Sequence, residues 1–65
     1  MAGLRESEVL LQFQRIGTIV KVTAIDPATL TEVSIQGPAN MPQSALTRTA
    51  VAKLNYVLAK KAGTS

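Results

Sequence analysis

The spacing of hydrophobic residues changes near the middle of the chain. From Glu8 to Gln36 apolar and polar residues alternate and β-branched residues are frequent, a pattern that predicts strands. Over residues 43–62 apolar residues return every three or four positions, and alanine, leucine and lysine replace valine and threonine. The chain is therefore predicted to form a β region followed by one helix.

Turn-forming residues divide the β region into three predicted strands, over residues 9–14, 18–25 and 31–36. Asp26-Pro27 predicts a type I turn between the second and third strands. Arg15-Ile16-Gly17 is compatible with a hairpin turn or with a bulge in a continuous strand, and both remain open. The segment Gly37-Pro38-Ala39-Asn40 predicts the loop that ends the sheet, because proline cannot donate to a ladder.

The predicted helix carries an apolar stripe about 140° wide, which suits packing on one face of a sheet. Its members are Leu46, Ala50, Val51, Leu54, Val57 and Leu58. Asn40, with Gln43 three residues later, and Ser44 are both candidate N-caps, and the sequence does not choose between them. Lys60 and Lys61 suit the last turn, where positive charge meets the negative end of the helix dipole.

Together these elements predict an α+β domain: a three-stranded antiparallel meander in the order 1-2-3, with one C-terminal helix packed on one sheet face. The domain is expected over residues 8–62, between a flexible lead-in at 1–7 and a short tail at 63–65. Val9, Leu11 and Phe13 of the first strand alternate toward the helix and are expected to be buried.

The opposite sheet face is predicted to stay uncovered. Its residues are Leu10, Gln12, Gln14, Ile19, Lys21, Thr23, Ile25, Glu32, Ser34 and Gln36. Aliphatic side chains on an exposed face suit contact with a partner protein or with a second copy of the chain, and the candidate interaction residues are Leu10, Ile19, Lys21 and Ile25. Strand addition at an edge of the sheet is a second route to the same function.

Positive charge suggests an alternative function. Seven Lys and Arg against four Asp and Glu give a formal net charge of +3, although the cations are spread along the chain. Lys53, Tyr56 and Lys60 share one flank of the predicted helix. Two lysines on phosphate and a tyrosine stacked on a base would permit weak, sequence-independent binding to nucleic acid.

The composition argues against catalysis. The chain has no histidine, cysteine or tryptophan, so it lacks an imidazole base, a thiol nucleophile and the usual soft metal ligands. Its four acidic residues are dispersed and form no catalytic pair. We therefore expect no enzyme activity, no cofactor and no metal. No apolar run approaches the ~20 residues of a membrane span, so no membrane association is expected and the cytoplasm is the expected location.

Three segments carry a resemblance to a known family. They are residues 15–27, with the distinctive run Val-Lys-Val-Thr-Ala-Ile-Asp-Pro at 20–27, then residues 31–38 and 54–60. Together they resemble a small family of uncharacterised alphaproteobacterial proteins, and the likeness covers most of residues 8–62. It implies a free-standing bacterial cytoplasmic protein built on a domain of unknown function, and it carries over no catalytic or ligand residues. Leu30 departs from good turn chemistry, because glycine would relieve a left-handed residue before the third strand.

Overall fold

The computed structural model describes residues 8–63. The predicted lead-in at residues 1–7 lies outside the described residues, as do the last two residues of the predicted tail. The elements are β1 (Leu10–Ile16), β2 (Ile19–Asp26), β3 (Thr31–Pro38) and α1 (Gln43–Gly63). The strands form one antiparallel sheet in the order β1-β2-β3, and α1 packs on it. The predicted α+β architecture is confirmed.

A tight hairpin joins β1 to β2. The register runs unbroken from Leu10 opposite Ile25 to Ile16 opposite Ile19, so the connection is a two-residue loop of Gly17 and Thr18. Gly17 has φ +62°, which glycine adopts without steric cost. Of the two sequence interpretations the hairpin is right and the bulge is wrong. Arg15 and Ile16 belong to the strand because they continue the ladder.

Asp26 organises the turn between β2 and β3. Its carboxylate accepts hydrogen bonds from the Ala28 N–H at 3.0 Å and the Thr29 hydroxyl at 2.7 Å, and its carbonyl accepts one from the Leu30 N–H at 2.7 Å. Leu30 has φ +59°, so the left-handed residue expected before β3 is present. Its side chain is 78% exposed. The turn is stabilised by Asp26 and strained at Leu30.

β3 is longer than predicted. Gly37 and Pro38, expected in a loop, continue the strand opposite Val20 and Ile19. A Cβ atom at Gly37 would collide with the buried side chain of Leu46, so glycine lets the helix approach the strand at this point. The prediction that the sheet stops at residue 36 is therefore wrong.

Helix α1 begins at Gln43, and the Pro42 carbonyl accepts hydrogen bonds from the N–H groups of Ala45 and Leu46. Pro42 therefore occupies the N-cap position, and neither Asn40 nor Ser44 does. Most of the predicted apolar stripe is buried, while Val57 and Leu58 are half-buried. The buried core consists of Val9, Val22, Ala24, Leu46, Ala50, Val51 and Leu54.

One core prediction is wrong. Phe13 faces the helix side of the sheet, in register with buried Val22, yet it remains 38% exposed. The reason is the lateral position of α1, which packs on β2 and β3 and barely reaches β1. Within residues 8–63 the helix side of β1 is therefore left uncovered around Phe13, whereas Leu11 is half-buried and packs against the core.

Candidate interaction surface

The two outer strands have different free edges. Lys53 of α1 donates a hydrogen bond from Nζ to the Ser34 carbonyl oxygen at 3.0 Å, so this carbonyl points away from β2. Successive residues of an antiparallel strand turn their backbone groups to opposite sides. Ser34 lies opposite Thr23, so the backbone groups of Thr23 point toward β1, where its register partner is Gln12.

The same alternation assigns the free edge of β1. Because the backbone of Gln12 faces β2, the neighbouring residues Leu11, Phe13 and Arg15 direct their N–H and C=O groups out of the sheet. Residues 8–63 supply no backbone partner strand on this side of β1. These groups form a template for one further strand.

β1 is also exposed on its two faces. Six of its seven residues are exposed, and Leu11 is half-buried. Leu10 is 56% exposed and Ile16 is 55% exposed. Together with Phe13 they place three large apolar side chains in the solvent on a single short strand. We use the name β1 surface for residues 10–16 with their outward backbone groups.

The register shows how the aliphatic residues of the open sheet face are distributed. Leu10 lies opposite Ile25 at one end, and Ile16 lies opposite Ile19 at the other. Two rows of polar residues separate these pairs. The rows are Gln12-Thr23-Ser34 and Gln14-Lys21-Gln36. The hydroxyl oxygens of Thr23 and Ser34 lie 3.1 Å apart and are hydrogen-bonded. Each aliphatic pair therefore includes one end of β1.

The four candidate interaction residues lie on the predicted face but do not form one patch. Leu10 and Ile25 are in contact range as a cross-strand pair, whereas Ile19 is about 20 Å away along β2. Lys21 lies in a polar row between them. Ile19 is 42% exposed, while Lys21 and Ile25 are half-buried. Both β1 and β2 run from one aliphatic end to the other, and β1 is the outer strand of the two.

The helix flank proposed for nucleic acid is partly engaged in contacts within the domain. Lys53 bonds the Ser34 carbonyl, and Lys60 Nζ lies 5.7 Å from the centre of the Tyr56 ring, a cation–π distance. Lys61 donates to the Thr31 hydroxyl at 3.2 Å. Tyr56 itself is 65% exposed. The flank thus keeps an exposed ring, but one of its two predicted phosphate ligands is bound to β3.

An open depression of about 450 Å³ lies between the β1–β2 loop and the segment before α1. It is lined by Arg15, Thr18, Pro38, Ala39 and Asn40. Arg15 donates from Nε to the Gly17 carbonyl at 3.0 Å, so its charged group helps to close the hairpin. Three of its five lining residues are polar, and one of these, Arg15, is engaged in the hairpin.

Within residues 8–63 no group of three or more potential ligand side chains is placed to hold a metal ion. The described part of the chain also contains no helix long and apolar enough to cross a membrane.

Sequence reasoning missed Ile16 as a surface residue because it assigned residues 15–17 to a turn. The signal was present, since Ile16 and Ile19 flank the pair Gly17-Thr18, and a two-residue loop that begins with glycine is typical of a hairpin. The edge contact of Lys53 had no such signal, because it depends on where the helix lies across the sheet.

The fold and surface define a small β-β-β-α domain in which, among residues 8–63, no strand pairs with the outer edge of β1. A family model for a domain of unknown function (DUF6898) matches residues 6–61, and the chain belongs to this family. No curated protein and no solved structure matches the chain. The match confirms the expected domain of unknown function, while the alphaproteobacterial origin remains a prediction.

Proposed function

We propose that this domain is a non-enzymatic protein-interaction module, and that it binds a β-strand of a partner along β1. The observation that carries the proposal is the difference between the two sheet edges. Within residues 8–63 the outward backbone groups of Leu11, Phe13 and Arg15 meet no partner strand, whereas Lys53 of α1 bonds the edge of β3.

Strand addition explains the arrangement of the exposed apolar residues. An added strand gains affinity from backbone hydrogen bonds and specificity from contacts with alternate side chains. Phe13 offers such a contact on the helix side, and Leu10 and Ile16 offer two on the open face. The predicted partner is therefore an extended segment with apolar side chains at alternate positions.

This proposal changes the surface expected from the sequence. On the open sheet face, Ile19 lies far from Leu10 and Ile25, and the two polar rows separate them. When a strand is added at β1, the two aliphatic ends of that face become part of one elongated contact. The open sheet face takes part in this contact through Leu10 and Ile16, its two aliphatic residues on β1.

The two aromatic residues of the chain provide a matched test, because Phe13 lies on the β1 surface and Tyr56 lies on the helix flank. Tagged wild-type protein, Phe13→Lys and Tyr56→Lys would each be used to capture proteins from a lysate of the source cells. The capture is repeated after nuclease treatment. Circular dichroism establishes that both variants are folded. If Phe13→Lys does not fold, Leu10→Lys replaces it, since Leu10 is 56% exposed.

We expect a defined protein that withstands nuclease and is retained by wild type and Tyr56→Lys but lost by Phe13→Lys. Retention by Phe13→Lys would overturn the proposal. Loss of all binding after nuclease treatment, with Tyr56→Lys also inactive, would instead support nucleic-acid binding through Lys53, Tyr56 and Lys60. Cytoplasmic location and absence of enzyme activity remain predictions.

A further inference from the structure

We infer that the strand bound by β1 is β1 of a second copy of this chain. Two sheets would then join, about a two-fold axis, into one six-stranded antiparallel sheet. This inference rests on the proposed strand addition at β1 and names its partner. The argument for a second copy is that β1 is complementary to itself.

One register pairs β1 with itself over its full length. When Phe13 lies opposite Phe13 of the second copy, all seven residues of Leu10–Ile16 are paired, and any shift leaves residues unpaired. In this register the outward N–H and C=O groups of one β1 face the outward N–H and C=O groups of the other. Phe13 meets Phe13, and Leu11 meets Arg15. These facing pairs would form about six backbone hydrogen bonds between the copies, two for each pair.

The side chains match in the same register. Leu10 faces Ile16 of the second copy, so an apolar residue meets an apolar residue at both ends of the open face. Gln12 faces Gln14, and amide groups can both donate and accept hydrogen bonds. The two Phe13 rings become neighbours on the helix side, at the place where α1 leaves the sheet uncovered.

The charges permit this pairing. Arg15 is the one charged residue of β1, and it lies opposite Leu11. The two Arg15 residues of the dimer are separated by four residues along the strands, about 14 Å. Arg15 also donates to the Gly17 carbonyl of its own hairpin, which holds its charge toward the end of the strand. No like charges face each other across the junction.

The assembly would also be closed. Once the two β1 edges are paired, the sheet ends on each side at β3, where Lys53 bonds the Ser34 carbonyl. Pro38 and Glu32 lie on the same edge, and proline and charge both discourage further strand addition. A dimer, rather than a growing fibre, is therefore the expected product.

The affinity follows from the size of the contact. A seven-residue strand is about 23 Å long, so the contact is smaller than the ~800 Å² per partner of a standard interface. We expect a dissociation constant in the micromolar range, and the protein concentration should span about 10 µM to about 1 mM. Sedimentation equilibrium over this range should show a monomer–dimer equilibrium.

A charge pair at the two-fold axis tests the register, because residue 13 meets its own copy. Phe13→Lys brings two lysines together and should raise the dissociation constant about tenfold or more. An equimolar mixture of Phe13→Lys and Phe13→Glu should restore dimers, because opposite charges then meet. Dimerisation of Phe13→Lys alone at wild-type strength would overturn the inference, as would a mixture of folded variants that stays monomeric.

Single cysteines give a second test that does not depend on the charged variants, since the chain has no cysteine of its own. Facing Cα atoms about 5.5 Å apart suit a disulfide. Phe13→Cys should therefore form covalent dimers on mild oxidation, while Gln12→Cys and Gln14→Cys separately should not. Mixing the two glutamine variants should give cross-linked dimers. Equal cross-linking of all three single variants would indicate random encounter and contradict the register.

The outcomes separate this inference from the proposed function. Wild-type protein that is monomeric at about 1 mM, with no cross-linking of Phe13→Cys, would overturn self-pairing. A different protein that is captured by wild type and lost with Phe13→Lys would still support strand addition. If the protein dimerises but Phe13→Lys does not weaken the dimer, the copies pair through another surface and self-pairing at β1 is overturned, while the capture experiment still decides strand addition.

Discussion

β1 and β3 are the outer strands of the same sheet, and both pair with β2, but their surroundings differ. α1 packs on the β3 side, and Lys53 and Lys61 contact Ser34 and Thr31. β1 receives almost no cover from the helix, and six of its seven residues are exposed. Among the residues that the structure describes, one outer strand is therefore contacted along its edge by the helix and the other is not.

The composition of the two strands follows the same division. β3 contains Glu32, Gly37 and Pro38, and each of these weakens a strand as a template for pairing. β1 contains no proline, glycine, lysine or acidic residue, and its exposed positions include three large apolar side chains. Edges are normally blunted because open ones aggregate. The difference supports a binding role for β1.

The largest expected effect on stability comes from placing proline at one of two neighbouring exposed positions of β1, Gln14 or Arg15. The N–H of Gln14 faces β2, so Gln14→Pro removes a ladder bond and should destabilise the domain by about 2–3 kcal/mol. The N–H of Arg15 points out of the sheet, so Arg15→Pro should cost less than about 1 kcal/mol. Urea unfolding, followed by circular dichroism at low-micromolar protein to limit self-association, measures both variants.

The difference between these variants tests the assignment of the free edge. If Arg15→Pro is the more destabilising of the two, the alternation derived from the Lys53–Ser34 bond is wrong. The residues offered to a partner strand would then be the other set, and the register centred on Phe13 would lose its backbone hydrogen bonds.

The spacing of the hydrophobic residues along the chain was sufficient to predict the architecture. The period of two in residues 9–36 separated the two sheet faces correctly, and the stripe from Leu46 to Leu58 identified the buried side of the helix. These features follow from local geometry, because side chains alternate along a strand and recur every 3.6 residues along a helix. The order of the strands followed from their short connections.

The position of the helix across the sheet has no comparable signal. An apolar stripe predicts that α1 covers a sheet face, but it does not state which two strands lie beneath it. The sequence alone therefore predicts Phe13 in the core, and it predicts that Lys53 faces solvent and phosphate. The sequence also predicts Pro38 in a loop, because proline cannot donate to a ladder. Its missing N–H is harmless on the free edge of β3, and that edge is defined only by the assembled sheet.

We expect a moderate effect on stability and aggregation when the edge of β3 loses its hydrogen bond from Lys53. Lys53→Met keeps most of the aliphatic side chain but removes the charged hydrogen bond to Ser34, which is exposed. We expect a loss of stability of about 0.5–1 kcal/mol and faster aggregation at high protein concentration, because a second edge becomes open. Light scattering during concentration measures the second effect.

Lys60→Met is the matched control for this change. It removes one positive charge from the same flank, where Lys60 lies over the Tyr56 ring, but it leaves the Lys53–Ser34 bond in place. Equal aggregation of the two variants would show that net charge, rather than the β3 edge, controls solubility.

A comparably small effect is expected at the two hairpins, each of which contains one residue with φ near +60°. Gly17 has φ +62° and Leu30 has φ +59°. A Cβ atom at Gly17 meets nothing within 4 Å, so Gly17→Ala should cost about 1 kcal/mol from backbone strain alone. Leu30→Gly relieves strain and exposes little new surface, because Leu30 is already 78% exposed. It should be neutral or stabilise by up to about 1 kcal/mol.

Thermal unfolding measures these changes, since about 1 kcal/mol shifts the Tm of a domain of this size by about 4–8 °C. Leu30→Ala is the control, because it removes the same side chain while keeping a Cβ atom in the left-handed conformation. If Leu30→Gly lowers the Tm as much as Leu30→Ala does, side-chain contacts of Leu30 outweigh its backbone strain. The β2–β3 turn would then be stabilised by Leu30 as well as by the Asp26 carboxylate, and the strain would be a cost that this contact offsets.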